Sequence, residues 1–168
     1  MIRFVYCIGW IYQRFVISKG DVVNRFLLSL VIPGTPVGKQ RPRSGKWGVF
    51  YTPKKTKNYE ALIKMTAANK MQEQGLEILD CPVYLIIRAF YPIPESWSKK
   101  KKALAESGDI LPTVRPDLDN IEKAVLDGLQ GVVFKDDKQV VEVLKRKVYT
   151  STYPRIEVTV KDWTEIIF

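Results

Sequence analysis

Four apolar runs of strand character, interrupted by long helix-forming stretches, constrain the fold of this chain more than any other feature. Phe26, Leu28, Leu30 and Ile32 alternate with Leu27, Ser29 and Val31, the two-residue period of a strand with at least one buried face. Pro33-Gly34-Thr35-Pro36 stops it. Pro82–Tyr91 is rich in β-branched and aromatic residues and reads as a second strand. Two more are expected at about Gln139–Tyr149 and Arg155–Lys161, joined by a turn near Thr150–Pro154. Thr52 before Pro53 reads as an N-cap followed by proline at the first helical position. That helix is predicted from Pro53 to about Gln74, with Tyr59, Leu62, Ile63, Thr66 and Ala67 as its buried stripe and Gly75 past its end. Ser96 or Ser98 would cap a short basic helix through Glu106. Asp119 reads as the N-cap of a third helix to Gln130, with Glu122 completing a capping box, Ile121, Val125 and Leu129 facing inward and Gly131 beyond the end. With a short extended piece at Val49–Tyr51 the order is ββαβααββ. This predicts an α+β fold, a single domain with a mixed or antiparallel sheet packed against helices.

The 168 residues suffice for one such domain, hardly for two. Its boundaries are expected at residues 25–168. Residues 1–24 read differently: an apolar, aromatic stretch from Phe4 to Tyr12 lies between Arg3 and Arg14. It is too short for a membrane span and lacks a small-residue cleavage site, so neither a secretory signal nor a membrane partner is expected. With Cys7 and Cys81 too few for a disulfide framework, a reducing cytoplasm is the expected location. Lys19-Gly20-Asp21 can be encoded as a purine run like a bacterial ribosome-binding site, and Val22 or Val23 as a GTG start. Residues 1–24 are therefore expected to be an extension upstream of the true start. An N-terminal peptide beginning at Met1 in the native protein would refute this.

Lysine and arginine outnumber aspartate and glutamate by 27 to 18, for a net charge of +9. That balance suits a polyanion, of which nucleic acid is the commonest. Histidine is absent and only Cys7 and Cys81 are present. Ser-His-Asp hydrolysis and histidine-based zinc sites are thereby excluded. Chemistry must fall to carboxylates, lysines, hydroxyls or a metal.

In so basic a chain, carboxylates gathered in two places need a reason. One cluster is Arg115-Pro116-Asp117-Leu118-Asp119-Asn120-Ile121-Glu122-Lys123, the other Asp136-Asp137. If the chain is extended just before the third helix, Asp117 and Asp119 point the same way and can share a hard cation such as Mg²⁺. Lys123, four residues beyond Asp119, lies on the same helix face and can stabilise charge on a phosphate. Asp137, with Asp136 as a further candidate, can complete the ligand set. The plainer reading also stands: a capping aspartate, i,i+4 pairs Asp119–Lys123 and Lys123–Asp127, and a solvated turn at Asp136-Asp137-Lys138.

A second region has the chemistry of nucleic-acid contact. Between Lys39 and Lys57 stand seven basic residues (Lys39, Arg41, Arg43, Lys46, Lys54, Lys55, Lys57) and no acidic one, interleaved with Trp47, Phe50 and Tyr51. Cations hold phosphates and an exposed aromatic stacks on an unpaired base. A solvated loop anchored by Trp47 in the core is the alternative.

With these residues in view, the chain resembles the RusA family of Holliday-junction resolvases over about Leu28 to Val160. Five segments in order carry the resemblance: Gly38-Lys39-Gln40-Arg41-Pro42-Arg43, Tyr51-Thr52-Pro53-Lys54-Lys55-Thr56, Arg115-Pro116-Asp117-Leu118-Asp119-Asn120, Lys123-Ala124-Val125-Leu126-Asp127 and Asp136-Asp137-Lys138-Gln139-Val140. The resemblance implies an α+β homodimer that cuts four-way junction DNA symmetrically with Mg²⁺, Mn²⁺ being a substitute. By position, Asp117, Asp119 and Asp137 match the family's catalytic aspartates and Lys123 its essential lysine. Asp136 and Asp127 fall on motif positions without a clear role. Some members carry several arginines before the first aspartate; here Arg115 stands alone beside Pro116. Junction contacts are therefore expected from Lys39, Arg41, Arg43, Lys46, Lys54 and Lys55 as well as Arg115. Two other functions fit the same residues: a non-catalytic protein binding branched or single-stranded DNA, and a Mg²⁺ nuclease acting on other structured nucleic acids.

Overall fold

A computed structural model describes residues 26–41, 43–44 and 49–162. The expectation for residues 1–24 lies outside them, as do Lys46 and Trp47. Strand β1 (Phe26–Pro33) is followed by two short strands, β2 (Arg43–Ser44) and β3 (Phe50–Tyr51), which pair antiparallel with each other. Then come helix α1 (Lys54–Glu73), strand β4 (Val83–Pro92), helices α2 (Lys99–Glu106) and α3 (Leu118–Leu129), and strands β5 (Val140–Thr150) and β6 (Arg155–Asp162). Among the described residues, the structure adds to the predicted order the two-residue β2 and a 3₁₀ turn, Asp137–Gln139.

The main sheet is mixed, in the order β1-β6-β4-β5. β6 runs antiparallel to both β1 and β4, whereas β4 and β5 are parallel, with Leu85 beside Val143 and Ile87 beside Lys145. Parallel neighbours need a crossover of a dozen or more residues. The segment carrying α2 and α3 supplies it and so leads α3 back across the sheet.

Alternation decides which face the helices cover. Leu28, Leu30 and Ile32 of β1, Val83, Leu85, Ile87 and Ala89 of β4, and Ile156, Val158 and Val160 of β6 are all buried. Against them pack Tyr59, Ile63, Ala67 and Met71 of α1 and Ile121, Ala124, Val125 and Leu129 of α3. Leu62 and Thr66, expected in the α1 stripe, are only half-buried, and Thr56 and Met71 take the ends. The two helices touch at Gly128: a Cβ there would lie 2.6 Å from Ile63 Cγ2 and 3.2 Å from the Glu60 carbonyl. Only glycine permits that approach, and it sets the spacing of α1 and α3.

The start of α1 is displaced by one residue from its expected position. Pro53, not Thr52, is the N-cap (φ −55°, ψ 141°), and its carbonyl accepts from the amides of Thr56 (3.0 Å) and Lys57 (3.2 Å). The cap has no side-chain bond. Of the two expected candidates, Ser98 rather than Ser96 caps α2, its hydroxyl accepting from the Lys101 amide at 3.4 Å. Among the described residues no helix is long and apolar enough to cross a membrane.

Candidate functional site

The α3 N-terminus also departs from the local rule. Asp117 is the N-cap, in extended conformation (φ −71°, ψ 155°), and Asp119 lies in the first helical turn. The expected Asp119–Glu122 capping box is absent because the helix begins two residues earlier and Glu122 turns to Lys145 of β5, with which it forms an ion pair. The extended-chain argument for parallel Asp117 and Asp119 side chains therefore fails: one precedes the helix, the other is in it. Neither is wasted there. Aspartates at a helix N-terminus face its unpaired amides and the positive end of its dipole, and Asp117 makes no capping bond with its own side chain. Both carboxylates are exposed, as is Lys123 one turn beyond Asp119. Among the described residues none of the three enters an ion pair. The i,i+4 pairs involving Lys123 are thus not formed, and Asp127 is bonded elsewhere.

The segment leading into α3 is held at several points. The Lys147 ammonium, from β5, donates to the Val114 carbonyl at 2.6 Å. The Arg115–Pro116 peptide is cis. Gly38 presses on the far side, where a Cβ would stand 2.6 Å from Pro116 Cβ and 2.9 Å from Asn120 Cβ. The next residue, Lys39, donates its amide to the Asn120 carbonyl at 2.7 Å. Its side chain passes between the helices, where the ammonium meets Glu60 Oε1 at 2.7 Å and Asp127 Oδ2 at 2.5 Å. Burial opposes that charge, but the bonds to Asp127 and Glu60 outweigh it and hold the ammonium above the ordinary lysine range. Glu60 gave no signal in the sequence; its partner lies 21 residues away.

The second acidic cluster is more than a solvated turn. Asp136 caps the 3₁₀ turn, accepting from the Lys138 amide at 3.0 Å, and Gln139 returns the bond by accepting from the Asp136 amide at 3.0 Å. Gln139 also accepts from the Lys135 amide (2.8 Å) and donates to the carbonyls of Leu79 (2.9 Å) and Cys81 (3.1 Å). Lys135 adds an ion pair to Asp80 at 2.7 Å. Gln139 is thus the clamp of this loop, a role the sequence showed only as one member of a motif. The bond from the Lys138 amide, and contact with Asp137, keep the Asp136 carboxyl below the usual carboxylate range. Asp137 itself is exposed and borders an open groove lined also by Glu122, Leu126, Val141, Glu142 and Lys145. Asp117 and Asp119 do not line that groove.

Every donor in these clusters is an oxygen, which suits a hard cation. Among the described residues no three acidic or cysteine side chains gather into a metal-binding group. Mg²⁺ is commonly held by one or two carboxylates together with waters and substrate phosphates rather than by an all-protein cage, and exposed, unpaired Asp117 and Asp119 fit that mode. Of the basic residues, Arg41, Lys54, Lys55 and Arg115 are exposed. Lys54 and Lys55 open α1 with no acidic residue in its first turn. Two cations at the positive end of a helix dipole disfavour the helix but favour an anion.

Comparison with known proteins places this architecture. The family model described as Endodeoxyribonuclease RusA matches residues 33–161, which include both acidic clusters and Lys123. A Bacillus subtilis (strain 168) protein, called "Uncharacterized protein YqaN", is 36% identical over 140 residues, covering 80% of this chain and 96% of that one.

Proposed function

The chain belongs to the RusA endodeoxyribonuclease family, and on that premise we propose that it is a Mg²⁺-dependent enzyme that resolves four-way DNA junctions by paired, symmetric nicks in recombination and repair. One observation carries the reading. Within the matched span, Asp117 and Asp119 stand exposed and, among the described residues, without an ion pair at the N-terminus of α3, with Lys123 one turn on. The helix dipole suits both acids, and their carboxylates are left open to a cation.

Asp117 and Asp119 would hold the cation with Asp137 as third ligand and Asp136 in support; Mn²⁺ would substitute. The metal, when bound, supplies an activated water and relieves charge on the phosphate. Lys123 places a positive charge where the phosphate gains negative charge during cleavage. Arg41, Arg43, Lys46, Lys54, Lys55 and Arg115 would bind the phosphodiester backbone, with a strong dependence on salt. A junction has two-fold symmetry and two strands to cut, so the working unit would be a homodimer with one site per strand.

The test incubates purified protein with a synthetic four-way junction, a matched duplex and a Y-fork, each with Mg²⁺ or EDTA. Paired nicks confined to the junction and lost in EDTA are expected. Asp119→Asn should lower the cleavage rate by at least about 100-fold, the scale of removing one electrostatic group from a reaction centre, while junction binding persists. Tight binding with no cut in any metal would instead identify a binding protein, and preference for the Y-fork another nuclease specificity.

A further inference from the structure

The first basic residue of the Lys39–Lys57 region differs from the others in what surrounds it. Arg41, Lys54 and Lys55 are exposed, and among the described residues none of them enters an ion pair. Lys39 has two carboxylates on its ammonium and 31% of its side chain exposed. We propose that Lys39 is a positioning residue that locks the Val37–Arg41 loop to α1 and α3, and so fixes the Asp117–Asn120 segment, rather than a contact to substrate phosphate.

Three links from adjacent residues support it. The Lys39 amide holds the Asn120 carbonyl at 2.7 Å, within the first turn of α3. Gly38 packs against Pro116 and Asn120, on either side of Asp117 and Asp119 in the chain. The ammonium joins Glu60 of α1 to Asp127 of α3. One residue thereby ties the loop to both helices and to the segment that carries the two aspartates.

Charge balance argues against a phosphate role. Lys39 with Glu60 and Asp127 forms a cluster of one positive and two negative groups, net −1, which repels a phosphate rather than attracting one. The ammonium retains a third donor, but the carboxylates beside it screen its charge. Phosphate contact falls instead to the exposed basic residues of the same region. The inference rests on the nuclease reading only for its catalytic readout.

The test uses the full chain with Lys39→Met, Lys39→Arg and Asp127→Asn. Three quantities are measured: single-turnover junction cleavage at saturating protein, the salt dependence of junction binding without divalent metal, and amide exchange at Lys39 and at 118–121. A lock predicts that Lys39→Met and Asp127→Asn both slow cleavage by about 10–100-fold, as a displacement near 1 Å does, and both speed exchange. It predicts an unchanged salt slope for each, and near wild-type cleavage for Lys39→Arg, whose guanidinium can bridge both acids. A phosphate contact predicts weaker binding in Lys39→Met with a salt slope reduced by about one, and that result overturns the proposal. So does wild-type cleavage or exchange in Asp127→Asn. Should Lys39→Met fail to fold, Asp127→Asn decides alone. If the wild type cuts no junction, the nuclease reading fails, and the exchange measurement still judges the lock.

Discussion

Replacing Gly38 by alanine probes the joint between the basic loop and the acidic segment with one methyl group. Its φ lies outside the left-handed region, so the backbone itself accepts alanine. The obstacle is space. The added Cβ would stand 2.6 Å from Pro116 Cβ, 2.9 Å from Asn120 Cβ and 3.3 Å from the Asn120 carbonyl carbon. Neither neighbour can swing away, since one is an atom of a proline ring and the other a Cβ fixed by helical backbone. Reaching ordinary contact at 3.4 Å requires the loop to part from Pro116 by about 0.8 Å and from Asn120 of α3 by about 0.5 Å. A parting of about 0.5–0.8 Å stretches the Lys39 amide bond to Asn120, now 2.7 Å, to about 3.2–3.5 Å, the outer edge of hydrogen bonding. Overpacking costs about 1–3 kcal/mol and the lost bond about 1 kcal/mol. The stiffer unfolded chain returns about 0.4–1 kcal/mol. A net loss of about 1–3 kcal/mol is expected from urea denaturation, as a lower midpoint at unchanged slope. Cleavage, where present, should fall by up to about 100-fold. Gly38→Ala with the wild-type midpoint and a protected Lys39 amide would refute the packing of this loop on α3.

Gly128→Ala meets Ile63 Cγ2 at 2.6 Å; overpacking of about 1–3 kcal/mol should outweigh a helix-propensity gain of about 1 kcal/mol. An Ile63→Ala background removes only the Cγ2 contact and leaves the residue-63 Cβ at 2.7 Å and the Glu60 carbonyl at 3.2 Å, so urea denaturation of the four proteins should show the glycine substitution costing less there while still destabilising. Gln139→Leu removes four hydrogen bonds and should cost about 2–4 kcal/mol; a loss below about 0.5 kcal/mol would show the loop is held by other means. Because Lys39 is held charged above its unfolded value, its contribution is complete below about pH 10.4 and is lost as pH rises through the folded pKa. The difference in unfolding free energy between wild type and Lys39→Met should therefore be constant from neutral pH to about pH 10 and shrink above it; constancy through pH 12 would contradict the ion-pair assignment.

What the sequence disclosed and what it withheld divide along the distance between partners. Strand and helix cores were legible because their periods are local: Leu28, Leu30 and Ile32 point inward in both readings, and so do Ile121, Val125 and Leu129. The placement of β6 between β1 and β4 was not, since no local period states which strand a strand will pair with. The aspartates at 117 and 119 stand out in the sequence as near neighbours, yet the local pattern points to Asp119 as the cap where the fold uses Asp117. The capping-box pattern needs Glu122 to reach back to its own helix start, and Lys145, 23 residues on, takes that carboxylate instead. Lys39 shows the same limit in the functional reading. Beside Arg41 and Arg43 it has the sign and spacing of a phosphate contact, but the acids that engage it are 21 and 88 residues away. A basic run read from sequence counts cations, whereas the field at a phosphate depends on cations left without acids. On the proposed reading, with Lys39 held by Glu60 and Asp127, the run between Lys39 and Lys57 would offer DNA one charge fewer than its composition suggests, and the salt dependence of binding should reflect the smaller number.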